Sequence, residues 1–162
     1  MQHPIADLLG TSLVPELGSD VAAGTACDKE LAMLGRIHNF DAFVQNYKQA
    51  RRAGFENINV DLMSALPGQT VESWEQTLVK TAELAPEHLS AYSLIIEEGT
   101  PFWNWYGEDA NQTLRPKEML PLPSEEDERR MYARTREILE QYGYHRYEIS
   151  NYAKDGYACR HN

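Results

Sequence analysis

The sequence predicts an α/β fold built on a parallel sheet, and three observations carry that expectation. Helix-like and strand-like periodicities take turns along the chain in the order helix, strand, helix, strand, long connection, helix, strand, which is the pattern of successive βαβ units. The stretch Asn57 to Thr70, NINVDLMSALPGQT, holds one strand-to-helix junction in full. Its apolar residues Ile58, Val60 and Leu62 alternate with Asn57, Asn59 and Asp61 at the period of a strand, Pro67-Gly68 supplies a turn, and Thr70 is a good helix N-cap. Finally, 162 residues that are 42% hydrophobic and 25% charged suffice for one domain with its own core.

Residues Met1 to Thr25 show no sustained period and are expected to form an arm that buries little apolar area. Asp28 then caps a short helix carrying Leu31 and Leu34, which Gly35 ends, leaving Arg36 and His38 in a loop. Asn39 caps a second helix whose apolar positions Phe40, Phe43, Val44, Tyr47 and Ala50 follow helical spacing, and Gly54 closes it. After the Asn57 strand, Thr70 opens a helix with Val71, Trp74, Leu78 and Ala82 inward, until Pro86 forbids continuation. Trp74 belongs to the core in this reading. His88 to Ile96 is a second strand, followed by Glu97, Glu98 and a Gly-Thr-Pro turn. Phe102 to Pro123 is too aromatic for a linker and is expected to pack as a flap around Trp103, Trp105 and Tyr106. Ser124 with Asp127 resembles a capping box for a helix with Met131, Thr135, Ile138 and Tyr142 on one face, and His145 to Tyr152 reads as a third strand.

Asp61 is the candidate functional residue that the pattern itself supplies. One alternative is a strand with a solvated polar face, as antiparallel sheets often have. Parallel sheets are covered on both faces or closed into barrels, so a polar strand face there lines an enclosed site, at the end where catalytic groups of α/β barrels gather.

Composition narrows the function classes. A net charge of -10 and a pI near 4.9 provide no basic surface for a phosphate backbone, so nucleic acid is not an expected partner. Cys27 and Cys159 have no CxxC spacing and make neither a disulfide framework nor a zinc set, which fits a reducing, cytoplasmic setting. No transmembrane segment, secretory signal, internal repeat or low-complexity tract is expected.

Several segments resemble one family: LGRIHN at Leu34 to Asn39, GFENINVDLM with LPGQT, HLSAYSLIIEEGTPF, RYEISNYA, and CRHN at the terminus. Together they resemble the radical S-adenosylmethionine family of oxygen-independent coproporphyrinogen III oxidases, in its haem-chaperone branch, from about Cys27 to Asn162. The resemblance implies the later strands and helices of a partial (β/α) barrel. In that family a [4Fe-4S] cluster binds S-adenosylmethionine and cleaves it to a radical. It also implies that Arg36 pairs with the methionyl carboxylate, Asp61 accepts from the ribose hydroxyls and Ile95 touches the adenine, with haem or a porphyrinogen as the bound tetrapyrrole and a haem-acceptor protein as partner. His161 and Cys159 are candidate haem ligands in the chaperone branch.

Departures from the family pattern matter as much. Its CxxxCxxC cluster motif is absent here, and two distant cysteines cannot supply three thiolates. A ribose-holding Gln of the family falls on Gly24, Ser64-Ala65 stands where Tyr-Gly is expected, and His161-Asn162 matches only the first two letters of HNxxYW. The expectation is therefore a piece truncated at both ends, with residues 1–26 outside the match and residues 27–162 a partial barrel domain. Catalysis by this chain alone is not expected. The alternatives are a non-catalytic module that binds haem or a protein through the Trp103 and Trp105 flap, and an inactive remnant.

Overall fold

The computed structural model describes residues 19–159. Strands β1 (Ser19–Gly24), β2 (Ile58–Ser64) and β3 (His88–Ser93) run parallel, in chain order, in a five-stranded sheet. Helices α1 (Asp28–Met33) and α2 (Phe40–Arg52) lie between β1 and β2, and α3 (Val71–Glu83) between β2 and β3. The flap contains α4 (Pro101–Tyr106) and a 3₁₀ turn, and α5 (Glu125–Gln141) precedes two short strands, β4 (His145–Arg146) and β5 (Asn151–Ala153).

Helices α2, α3 and α5 begin where a side chain gives the first amides a partner. Asn39 accepts from the Ala42 amide, Thr70 and Ser73 form a reciprocal capping box, and Ser124 accepts from the Asp127 amide. Four acidic residues in the first turn of α5 complement its dipole. Because β1, β2 and β3 are neighbours in sequential order, the two right-handed crossovers advance in one direction and leave their helices on one face of the sheet. That is barrel-type winding, with no reversal of strand order among the parallel strands.

The covered face is the core. Ile58, Val60, Leu62 and Leu89 pack against Phe43, Tyr47 and Ala50 of α2, Trp74, Leu78 and Ala82 of α3, and Met131, Ile138 and Leu139 of α5. Trp74 is 1% exposed and its indole donates to Thr135 Oγ1 at 2.9 Å, so it is core as expected. At the end of the sheet where β2 and β3 begin, Arg51 joins three elements. Its guanidinium meets Glu87 at 2.9 Å and the carbonyls of Phe55, Glu56 and Ala85, while Glu87 also takes the Ile58 amide at 2.9 Å.

Four expectations need correction. HRYEISNY is not a third parallel strand: β4 and β5 pair with each other and β5 pairs with β3, both antiparallel, because a four-residue connection can only reverse the chain. The arm expected over Met1 to Thr25 contains strand β1, whose small residues are held by the register of β2; residues 1–18 lie outside the described residues. Asp28 does not cap α1. Cys27 takes that position without a side-chain bond, and Asp28 Oδ1 instead accepts the Phe40 amide at 2.9 Å, tying the Arg36 loop shut. The β3 strand also ends at Ser93, before the expected Ile96.

Buried phenols predict an alkaline limit to stability. Burial pushes the Tyr144, Tyr47 and Tyr152 hydroxyls above the ordinary tyrosine value, and Tyr144 donates to Pro86 O at 2.5 Å. A group raised on folding contributes stability that is complete below its unfolded value, about 10, and lost as pH rises towards the folded one. Stability measured by urea denaturation is therefore expected to fall above about pH 10, and the fall should be shallower in Tyr144→Phe.

Candidate functional site

The sheet face opposite the helices carries the site. Alternation along β2 turns Asn59, Asp61 and Met63 away from the core, and the parallel register sets them beside His88, Ser90 and Tyr92 of β3. Both strands flanking β2 run parallel to it, and Asp61 is half-buried between Ala22 and Ser90, its register partners. Asp61 thus lies on the sheet face opposite the core, between two strands that run parallel to its own.

Arg36 lies in an exposed loop next to α1, where the Gly35 turn returns the Arg36 amide to Leu31 O at 3.0 Å. Its charge nevertheless reaches the site. Burial raises the Tyr92 phenol above its ordinary value, the Asp61 carboxylate raises it further, and the Arg36 guanidinium opposes both. Arg36 and Asp61 therefore act on one hydroxyl near the carboxyl ends of β2 and β3. Ile95 follows β3 at the same end and is 75% exposed, available to a planar apolar ligand. Gly24 closes β1 there at a φ of 73° and offers no side chain, so the hydrogen bond a Gln would make is missing. Cys159 is exposed at the far end of the hairpin, and His161 lies outside the described residues. Among the described residues no group of three or more His, Cys, Asp or Glu could hold a metal ion. Clefts of about 520 and 490 Å³ flank Tyr132 on α5, the first of them lined also by Ser93 at the end of β3.

Sequence reasoning missed a polar network on this face. Asn59 Nδ2 donates to Asp61 Oδ1 at 2.9 Å, and Asn59 Oδ1 faces His88 Nδ1 at 2.6 Å and Ser90 Oγ at 3.3 Å. His88, only 5% exposed, meets Tyr147 Oη through Nε2 at 2.5 Å, and Tyr147 Oη accepts the Cys159 amide at 3.3 Å. Ser90 also donates to Asn151 Oδ1 at 3.0 Å. The alternation of polar residues in β2 was the only signal; contacts 59 residues apart leave none.

The loop after β2 is anchored from beneath. The Glu30 carboxyl, 4% exposed, receives Thr25 Oγ1 at 2.5 Å, Gln69 Nε2 at 3.0 Å and Ser73 Oγ at 2.8 Å, binding α1, the loop and the start of α3 together. The flap closes over it, for Gly68 N–H donates to Pro121 O at 2.8 Å, and a Cβ at Gly68 would run into Leu120. The end of the aromatic stretch is thus tied to this loop, with Tyr106 Oη donating to Leu120 O at 2.6 Å, while no residue of its helix or 3₁₀ turn is buried. Within the loop, Ala65 has a φ of 60°, a left-handed conformation that L-residues adopt at a cost. It is the position where the resemblance places Gly. Ala65→Gly is expected to stabilise the chain by roughly 1 kcal/mol, read from its urea midpoint.

Comparison with known proteins places this geometry. By structure the chain matches the coproporphyrinogen III oxidase HemN of Escherichia coli, a radical SAM enzyme, with a TM-score of 0.67 and 24% identity over 83% of this chain and 29% of that one. The fold therefore matches part of the fold of that enzyme. In sequence the chain is similar to haem chaperones: it is 41% identical over 135 residues to heme chaperone HemW of Bacillus subtilis, covering 83% of this chain and 33% of the relative. It is 33% identical over 132 residues to the mitochondrial radical S-adenosyl methionine domain-containing protein 1 of Danio rerio, covering 82% of this chain and 28% of that protein. No family model matches the chain. The chain spans about a third of the length of the curated relatives it matches.

Proposed function

We propose that these residues form the nucleoside-facing side of an S-adenosylmethionine pocket in a radical SAM protein of the haem-chaperone type. The observation that carries this reading is the Asp61 carboxylate, half-buried on the face of the parallel strands opposite the core, with Asn59 Nδ2 donating to its Oδ1. A carboxylate so placed accepts from neighbouring hydroxyls of a ribose, Arg36 suits the methionyl carboxylate, and Ile95 suits the adenine face. The cluster does not fit the residues present. It needs three thiolates, and the chain has cysteines only at 27 and 159, so no step through the cluster is assigned to this chain.

Calorimetric titration of the 162-residue chain with S-adenosylmethionine tests the proposal. Saturable binding is expected, weakened about tenfold or more in Asp61→Asn, which keeps the shape and loses the charged acceptor. Equal affinity in both proteins would refute the role of Asp61.

A second reading, haem or porphyrinogen binding with delivery to an acceptor protein in the cytoplasm, is favoured by the names of the curated relatives and the exposed Cys159 thiol. A shifted Soret band on haem addition, lost in Cys159→Ala or His161→Ala, would support it. No response to either ligand would favour an inactive remnant. Among the described residues, no helix is long and apolar enough to cross a membrane.

A further inference from the structure

We propose that Glu30 is a positioning residue for Arg36: its carboxyl fixes helix α1 against the loop that follows β2, and so sets the separation between Arg36 and Asp61. This rests on the reading above, in which those two side chains hold different parts of one S-adenosylmethionine molecule.

Arg36 moves with α1. The last turn of this six-residue helix returns the Leu34 amide to Glu30 O at 3.1 Å, the Gly35 amide to Ala32 O at 3.0 Å and the Arg36 amide to Leu31 O at 3.0 Å. Glu30 and Arg36 thus belong to one piece of backbone. A helix so short has little stability of its own, so its side chains decide where it sits. Within it only Glu30 and Leu31 are buried, and its N-cap, Cys27, makes no side-chain bond. Asp28 ties the helix to α2 through the Phe40 amide at 2.9 Å. Glu30 ties it to the sheet.

The Glu30 carboxyl reaches three elements. Oε2 accepts from Thr25 Oγ1, just past β1, and from Gln69 Nε2 in the loop after β2, while Oε1 accepts from Ser73 Oγ on α3. Gln69 is itself held, because its Oε1 accepts the Leu66 amide at 3.3 Å and its own amide donates to Leu66 O at 2.9 Å. The loop therefore follows the end of β2. Thr25 has one proton and gives it to Glu30, so Thr77 of α3 supplies the proton of its 3.1 Å bond to Thr25. Glu30, Gln69, Thr25 and Thr77 are each at most 4% exposed, so bulk water does not replace a lost partner.

Placement needs acceptors here rather than charge. In Glu30→Gln the amide oxygen takes the place of Oε2 and keeps both donors. The amide nitrogen then donates to Ser73 Oγ, whose own proton turns to Thr70 O, 3.1 Å away. Glu30→Leu keeps much of the volume and removes all three bonds, which frees α1 to shift against the loop. A guanidinium displaced by about 1 Å loses its paired geometry with a ligand carboxylate.

Calorimetric titration of the full chain with S-adenosylmethionine tests this in a double-mutant cycle of Glu30→Leu with Arg36→Ala. Glu30→Leu should weaken binding about tenfold when Arg36 is present and by no more than about twofold in the Arg36→Ala background. Glu30→Gln should bind as the parent does. A merely structural tie would weaken both backgrounds equally, and that result, or parent-like binding by Glu30→Leu, would overturn the proposal. So would a loss in Glu30→Gln as large as that in Glu30→Leu, since charge rather than placement would then be at work. If Glu30→Leu does not fold, Gln69→Leu, which cuts the tie from the loop's side, replaces it in the cycle with the same two expectations. The single variants separate this proposal from the reading beneath it. No binding by the parent chain, or binding that Arg36→Ala leaves intact, removes the role of Arg36 and this proposal with it. Binding weakened by Arg36→Ala and by Asp61→Asn, but equally by Glu30→Leu in both backgrounds, leaves the pocket standing and removes Glu30 alone.

Discussion

Arg51→Ala is expected to lower the stability of the chain by about 3 kcal/mol, measured as the shift in urea midpoint at constant m. The guanidinium is a half-buried hub: it meets Glu87, the Tyr47 hydroxyl and three backbone carbonyls, and so joins the end of α2 to the beginnings of β2 and β3. Truncation leaves the Glu87 carboxylate, with 13% of its side chain exposed, without its cation. Burial opposes the charge on Arg51, but its bonds to Glu87 and Tyr47 prevail and its pKa rises, so the ion pair is intact throughout the neutral range. Arg51→Lys should recover only part of the loss, because an ammonium cannot reach all these acceptors from one position. The hub sits at the amino ends of the strands, the stability end of a barrel, so the variant should lose stability without any specific effect on the Asp61 face.

Trp74→Ala is expected to cost more, about 4 kcal/mol, since it empties the largest buried side chain in the core. Trp74 packs where α3 and α5 meet beneath the sheet, and its indole N–H satisfies Thr135. In a chain of this size, that loss approaches the whole stability of an ordinary domain. Thermal melting by circular dichroism should show a broad, low transition or none. Trp74→Phe keeps most of the volume and should lose about 1–2 kcal/mol, which separates packing from a general intolerance of substitution.

The helices and β2 were legible because their apolar spacing and caps are local. Phe43, Tyr47, Trp74, Leu78, Met131 and Ile138 are buried where periodicity put them, and Asp61 followed from alternation in β2. β1 was not legible: SDVAAG has small side chains and little alternation, and its strand conformation comes from pairing with β2. The hairpin escaped because Tyr147 to Ser150 contains neither glycine nor proline to mark a reversal, while HRYEISNY read as one continuous strand. Arg36 entered through resemblance, since nothing local distinguishes it from any exposed loop cation. Beyond the polar alternation in β2 the His88 network left no signal, being made by residues that the fold brings together from β2, β3 and the terminal hairpin. Ala65 is an intermediate case: the sequence showed a departure from the family pattern, and only the backbone showed that it falls on a left-handed residue.

The account depends on the face of β2 and β3 opposite the core being a ligand-binding surface, and amide chemical-shift mapping during an S-adenosylmethionine titration tests this most directly. Saturating shifts centred on Asn59, Asp61, Ser90, Tyr92 and the Arg36 loop, with Ile58, Val60 and Leu89 little affected, are the predicted result. Shifts concentrated instead around Tyr132 and the outer side of α5, or none at saturating ligand, would contradict it.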